Sequence, residues 1–275
     1  MQIRDYSLPA GWFPRDEASV SRILSEYDGK NRFARCAISP HAGWYYSGRL
    51  AALGAASLKD GADTVAVIGG HLPASSPPLL AMEDAVRTPF GFMTINNELR
   101  ASLMNEIGGE EDLMRDNTVE VLLPMVHYFF PKSNLLWLRL PADIGSFDSG
   151  KILSKTAAKL KCKINVLAST DLTHYGSNYG FSPKGRGEAA LKWVREKNDA
   201  AFIKAVESSD EREVLRCAQE DFSSCSAGAV LGAMGFAVEE SLGSARLLEY
   251  ATSADADAGE KTPDSFVGYA AFAFT

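Results

Sequence analysis

Four histidines occur in the 275 residues, and three of them, His41, His71 and His174, stand in segments that read as loops following strands. A neutral imidazole is a good ligand for zinc, copper or iron, and loops far apart in sequence can carry such ligands to one place. His41 lies in ISPHAGWYYSG, where Pro40 restrains the incoming backbone and Gly43 permits close approach. His71 lies in VIGGHLPASS behind two glycines that free the strand end. Each, taken alone, reads either as a ligand or as a hydrogen-bonded loop histidine. Asp171 and His174, in ASTDLTHYG, make a sharper pair. A carboxylate three residues before an imidazole can fix its tautomer and raise its basicity, as general acid–base work or support of a ligand requires. The alternative is Asp171 as a helix N-cap with His174 in the first turn. Cys225 opens an apolar helical run, and a helix N-terminus favours the thiolate needed for metal ligation or nucleophilic attack. A buried cysteine packed as a small hydrophobe is the competing reading. His127, inside the apolar LPMVHYFFP, reads as a satisfied helix histidine and is left out of the site.

The elements that must position these residues alternate between short β-rich runs and amphipathic helical patterns. Val20, Ile23, Leu24 and Tyr27 keep helical spacing behind an acidic first turn at Asp16 and Glu17. Arg35 to Ser39 reads as a buried strand, followed by a small-residue helix over Ser47 to Leu58. Thr64 to Ile68 reads as a second strand that stops at Gly69–Gly70–His71. Leu135 to Leu140 and Lys163 to Ser169 are two more, with helical patterns at Val119 to Phe130 and Asp148 to Leu160. The last third carries helices near Gly185 to Glu207 and Cys225 to Glu240, then strands at Ala245 to Ala251 and Phe266 to Phe274. Alternating β and α elements predict an α/β protein, a central sheet covered by helices on both faces. Ligands in such sheets bind beyond the strand ends, where His41, His71 and the Asp171–His174 pair fall.

Composition narrows the classes of function. With 46% hydrophobic and 23% charged residues the chain can bury a large core, and no linker or composition shift divides it, so one domain over residues 1–275 is expected. A formal charge of −7 without a Lys/Arg cluster argues against a nucleic-acid partner. No apolar stretch approaches the roughly 20 residues of a bilayer span, and the N-terminus has no signal-peptide pattern. Cys36, Cys162, Cys217 and Cys225 show no CxxC spacing, which fits a reducing cytoplasm without disulfides.

Several segments, in order, resemble the motifs of the MEMO family of the AmmeMemoRadiSam system. PAGWFP (Pro9–Pro14) is similar to its AGxFYP segment, SPHAGWYYSG to its PHAGYxYSG signature and VIGGHLP to its GPNH or GPSH loop. TPFG (Thr88–Gly91) is similar to its TPLG element and STDLTHYG to its SSDxSHYG, while Cys225 falls at a family Cys-Gly pair. YATSADADAG and VGYAAF resemble its closing segment. The resemblance covers nearly the whole chain. It implies a central mixed sheet like that of LigB-type extradiol dioxygenases, a divalent transition metal (iron, copper or zinc) on His41, His71 and Cys225, and Asp171 and His174 as catalytic residues beside the open coordination position. It also implies a radical-SAM protein and an AMMECR-type protein as partners. Three positions depart from the family. Asp116–Asn117–Thr118–Val119–Glu120 stands for EHSxE, so that Asn117 replaces a histidine; Gly70 replaces Asn or Ser; and Ser226 replaces the Gly after the cysteine.

Three functions follow as expectations. The first is a metal-dependent redox or dioxygenase-like enzyme acting on a small molecule, with His174, oriented by Asp171, moving protons. The second is a metal-free cysteine hydrolase or amidase, with Cys225 as nucleophile and His174 as its base. The third is a non-catalytic protein that keeps the cleft for a ligand or partner. Trp44, Tyr45 and Tyr46 are candidates to line a pocket for a planar ligand, or else belong to the core.

Overall fold

A computed structural model describes residues 1–256 and 263–275. The last three residues of the YATSADADAG segment, 257–259, therefore lie outside the described residues.

Four strands form the centre of a nine-stranded sheet: Cys36–Ser39, Ile164–Ser169, Thr64–Leu72 and Asn134–Pro141, side by side in that order and all parallel. Their residues are almost uniformly buried and apolar, as strands covered on both faces must be. Ser265–Phe274 runs antiparallel beside Cys36–Ser39 and also pairs with Ala245–Thr252 and with His174–Gly176. At the other side Leu79–Leu80 pairs antiparallel with Asn134–Pro141 and parallel with Glu110–Glu111. The sheet is thus mixed, and it is covered by helices on both faces. A separate three-stranded sheet joins Ile3–Arg4, Ala85–Thr88 and Gly91–Thr94.

Alternate residues of each central strand serve the two cores. Cys36, Ile38, Ala66 and Ile68 face one way, against the helices Gly145–Lys159, Phe202 and Val206 of Asp199–Glu207, and Ala227–Glu239. Ala37, Val65 and Val67 face the other, against Glu17–Leu24, Trp44–Ser57 and Leu123–Phe129. The helix Ala227–Glu239 is buried almost all round, and its small residues let it lie against a neighbour at backbone distance. A Cβ at Gly150 would stand 1.9 Å from the Gly232 carbonyl oxygen, so that crossing admits no side chain at residue 150.

Several boundaries differ from expectation for local reasons. The helix expected over Val119 to Phe130 is broken into Asn117–Glu120 and Leu123–Phe129, because Pro124 cannot donate to a preceding carbonyl and begins a new helix instead. The helix expected over Gly185 to Glu207 is Glu188–Trp193 and Asp199–Glu207 joined through a π-helical turn at Val194–Asn198. Cys225 does not begin a helix: the helix starts at Ala227, and Cys225 belongs to the loop before it. The strand expected to end at Ile68 continues to Leu72, so His71 lies within its irregular last turn rather than in a free loop. The hairpin Ala85–Thr94 and the helices Asn97–Ile107 and Glu211–Glu220 are not among the elements expected from the sequence. Asn97–Ile107 is punctuated as helices are, with Asn96 capping the Leu99 N–H and Gly108 left-handed at its end.

Candidate metal centre

The parallel register explains why distant residues meet. Ile38 and Ile68 both pair with Ala168, so the three strands leave the sheet in step. His41, His71 and Asp171 each stand three residues beyond that shared row, at one edge of the sheet. Cys225 comes from the other direction, from the loop preceding the buried helix Ala227–Glu239. One nitrogen each of His41 and His71 and the Cys225 sulfur lie within 4.8 Å of one another. The two rings meet edge-on with centroids 4.9 Å apart, and Cys225 Sγ is 3.2 Å from His41 Nε2.

The hydrogen bonds around the rings fix which nitrogen is free. Ser169 Oγ gives its single hydrogen to the Thr118 carbonyl oxygen, so in its 2.7 Å contact with His41 Nδ1 it accepts. His41 Nδ1 therefore carries a proton, and Nε2 is left to face the sulfur. His71 Nδ1 donates to the Asp116 carboxylate at 3.0 Å, which leaves its Nε2 likewise available. A carboxylate or hydroxyl behind each ring is the arrangement that orients metal-ligating histidines. Two nitrogens and a sulfur presented together suit zinc, copper or iron, and the cluster could hold such an ion.

Thr118 ties both supports together. Its carbonyl holds Ser169; its main-chain N–H, at 2.8 Å, and its hydroxyl hold Asp116 Oδ1; and its hydroxyl oxygen accepts the Gly70 N–H at 3.2 Å. Arg139, wholly buried, closes the set from beneath. It donates to the Gly70 carbonyl and to Asp112, and its Nη2 stands 3.3 Å from Asp116. His71 itself adopts φ 56°, a conformation rare for a residue with a side chain and most often retained where a site requires it.

Charge in the cluster is set by these neighbours. Burial disfavours the Cys225 thiolate, but the two histidines outweigh it and hold the thiol well below its ordinary range. Burial also disfavours a charged His71, yet the Asp116 bond and the Cys225 sulfur push it up to about 10. His41 is raised too, with Asp171 and Cys225 overcoming burial and the repulsion of His71. Burial alone would lift Asp116, but the His71 and Thr118 bonds, with Arg139 nearby, keep it below the usual carboxylate range.

Asp171 and His174 do not form the pair expected from their spacing. Asp171, buried at the floor, accepts the main-chain N–H of His41 at 2.7 Å and lies 4.0 Å from His41 Nε2, while burial raises it above an ordinary carboxyl. His174 Nδ1 instead meets the Leu172 carbonyl oxygen at 3.1 Å. That carbonyl can only accept, so His174 Nε2 is the unprotonated nitrogen of the neutral ring. The sulfur's imidazole partner is His41, not the His174 expected for a cysteine hydrolase.

Both histidines of the floor and His174 line one cavity of about 720 Å³, together with Asn117, Asp171, Tyr46, Tyr179 and Tyr269. Asn117 donates to the His41 carbonyl at 2.9 Å and fills the wall where the family pattern has a histidine. Of the aromatic trio, Tyr46 reaches this cavity, whereas Trp44 packs on Phe13 and donates to the Val121 carbonyl. His127 lies elsewhere, bonded to Thr88. The supporting roles of Asp116, Thr118 and Ser169 were not read from sequence. Their one local signal is Asp116 two residues before Thr118, the spacing of an N-cap that leaves one carboxylate oxygen free.

The chain matches the family model for Memo-like proteins over residues 4–273. The chain belongs to the Memo family. A MEMO1 family protein of Pyrococcus abyssi is 28% identical over 96% of this chain and 97% of its own length. Another, from Methanococcus maripaludis strain C6, is 28% identical over 85% of this chain and 81% of its own. An uncharacterized protein of Escherichia coli K12 of known structure is 11% identical and superposes over 86% of this chain and 98% of its own with a TM-score of 0.42. No helix among the described residues is long and apolar enough to cross a membrane.

Proposed function

We propose that this Memo-family chain is a metal-dependent redox enzyme of dioxygenase-like type, acting on an unidentified small molecule in the reducing cytoplasm. The observation that carries the reading is the convergence of the two floor histidines on one sulfur: Ser169 and Asp116 each accept an Nδ1–H, so that Nε2 is the ligand nitrogen of each ring, and an ion held there would replace the Nε2 protons. Bound iron or copper would supply Lewis acidity and one-electron chemistry, and zinc the Lewis acidity alone. His41, His71 and Cys225 hold the ion. His174, with Nε2 free in the cavity wall, takes a proton from the bound molecule. Asp171 acts on the floor by fixing the His41 backbone, and the tyrosines Tyr46, Tyr179 and Tyr269 enclose the substrate. The radical-SAM and AMMECR-type partners belong to the same reading and are tested by co-purification.

The deciding experiment is elemental analysis of untagged protein, as purified and after anaerobic loading with iron, copper or zinc, beside His41→Ala and Cys225→Ala. About one ion per chain in the parent, lost in both variants, is the expected result. Folded parent protein that keeps no ion after desalting ends the proposal. A metal-free reading then takes its place, with the Cys225 thiolate as nucleophile and His41 as its acid–base partner, favoured by their 3.2 Å contact. That reading requires iodoacetamide to alkylate Cys225 more slowly in His41→Ala than in the parent at neutral pH.

A further inference from the structure

Ser226 departs from the family pattern, and so does Gly70; the structure puts the two departures face to face. A Cβ on Gly70 would lie 2.5 Å from Ser226 Cβ and 2.6 Å from its Oγ. The absence of a side chain at residue 70 is thus the room in which the Ser226 side chain stands. Ser226 is also the N-cap residue of the helix Ala227–Glu239, a position where a serine hydroxyl usually accepts a main-chain N–H from the first turn. Here it makes no such bond. The side chain is buried, and among the described residues its hydroxyl has one hydrogen-bond partner, Cys225 Sγ, at 3.6 Å. The nearby Thr170 hydroxyl, 3.9 Å from the same sulfur, has better acceptors in the Asp171 carbonyl and Ser224, each at 2.8 Å.

We propose that Ser226 is a positioning and tuning residue of the centre, whose hydroxyl donates to the Cys225 sulfur and withdraws electron density from it when the sulfur ligates a metal. A thiolate carries lone pairs and no proton, so between the two groups the serine is the donor. Hydrogen bonds to ligand sulfur are an established lever on the electronics of metal thiolates, lowering the energy of the sulfur lone pairs and raising the potential of the ion they bind. The chain lacks the family's side chain at residue 70 and leaves the Ser226 hydroxyl out of the helix cap, where this donor stands. The inference rests on the metal reading above, and its test separates the two.

Cobalt(II) is the probe, because a cobalt–thiolate centre shows a sulfur-to-metal charge-transfer band whose energy reports directly on the sulfur. Parent, Ser226→Ala and Ser226→Gly proteins are loaded with cobalt(II) anaerobically, and bound cobalt and the near-ultraviolet spectrum are recorded. Both variants are expected to bind as much cobalt as the parent, with the band moved to lower energy because the sulfur has lost its donor. Since Ser226 makes no cap bond, Ser226→Ala is also expected to keep the parent's thermal midpoint. An unmoved band at full occupancy overturns the proposal. So does loss of cobalt from both folded variants, which would make Ser226 a matter of shape and not of sulfur electronics. A parent protein that binds no cobalt overturns the metal reading itself, and this inference with it.

Discussion

The floor of the cavity and its flank are built on opposite plans. On the floor, His41 and His71 leave parallel strands in step, and each Nδ1 is held by a group that is itself held: Ser169 by the Thr118 carbonyl, Asp116 by the Thr118 N–H and hydroxyl. On the flank, His174 sits on the short edge strand His174–Gly176, with one carbonyl behind its ring and the Tyr179 ring edge-on at 5.0 Å. What steadies it comes from behind, where Asp199 takes the Thr173 N–H and hydroxyl and Tyr250 donates to the same carboxylate. A ring locked through two layers of bonds suits a ligand, whose lone pair must not wander. A ring with one bond and an open face suits a group that exchanges protons.

Thr118→Val should break the floor most severely. It removes the hydroxyl donor into Asp116 and leaves the buried Gly70 N–H without its acceptor. An unpaired buried donor together with a lost bond to a charged group costs about 3 kcal/mol, readable by urea denaturation, and metal retention should fall with it. A loss below about 1 kcal/mol would mean that the Thr118 hydroxyl, as distinct from its main-chain groups, does not steady Asp116 and the His71 turn.

Asp199 gives the flank a pH signature of its own. Burial raises its carboxyl to about 6, although the Thr173 and Tyr250 bonds pull the other way. Because the folded value lies above the unfolded one, the unfolded chain ionises first as pH rises from about 4 to 6, and stability falls across that window. The loss is on the order of 2–3 kcal/mol and is complete above the folded value. Asp199→Asn keeps an oxygen for Thr173 but cannot ionise. Its stability relative to the parent should therefore climb between pH 4 and 7, by chemical denaturation at several pH values. A flat difference would show that Asp199 is already compensated in its ionised form.

Asp116→Asn tests the floor more gently. The single amide oxygen can serve His71 Nδ1 or the Thr118 donors but not both, and the charge that makes the ring a stronger ligand is gone. Affinity for the loaded metal should drop by about 10–100-fold in competition with a chelator, measured on protein whose fold is checked by circular dichroism. Equal affinity would strip Asp116 of its orienting role.

These contrasts also mark what a sequence exposes. The strands at Cys36, Thr64, Asn134 and Ile164 are legible as apolar runs, and their ends place His41, His71 and Asp171 at one edge, since parallel strands share an end. The length of the Thr64 strand is not legible, because Gly69–Gly70 reads as a stop while Arg139 and Thr118 hold it extended from outside. The Asp171–His174 spacing suggests a pair, but the backbone sends the carboxylate to the His41 N–H instead. The hub at Thr118 is invisible beforehand, since its four bonds reach residues 2 to 51 positions away and only the closed register brings them together. The Gly70–Ser226 contact is of the same kind: two departures from a family pattern, 156 positions apart, become one feature only when the Ala227 helix is packed across the strands.

The mildest prediction is the most discriminating for the flank. His174→Gln removes an imidazole whose one hydrogen bond among the described residues is to a main-chain carbonyl and whose ring is partly exposed in the cavity wall. Glutamine is comparable in length and can still donate to Leu172. Stability should change by no more than about 0.5 kcal/mol, and the ion should stay at parental stoichiometry, because no bond on the floor passes through residue 174. Turnover, once a substrate is in hand, should nonetheless fall by about 100-fold or more as expected for a lost proton acceptor. The variant therefore separates the two plans in one protein: a centre that loads normally and does not react is a floor without its flank. If His174→Gln instead sheds the ion, the flank is part of the ligand set and the division between holding and proton transfer has been drawn in the wrong place.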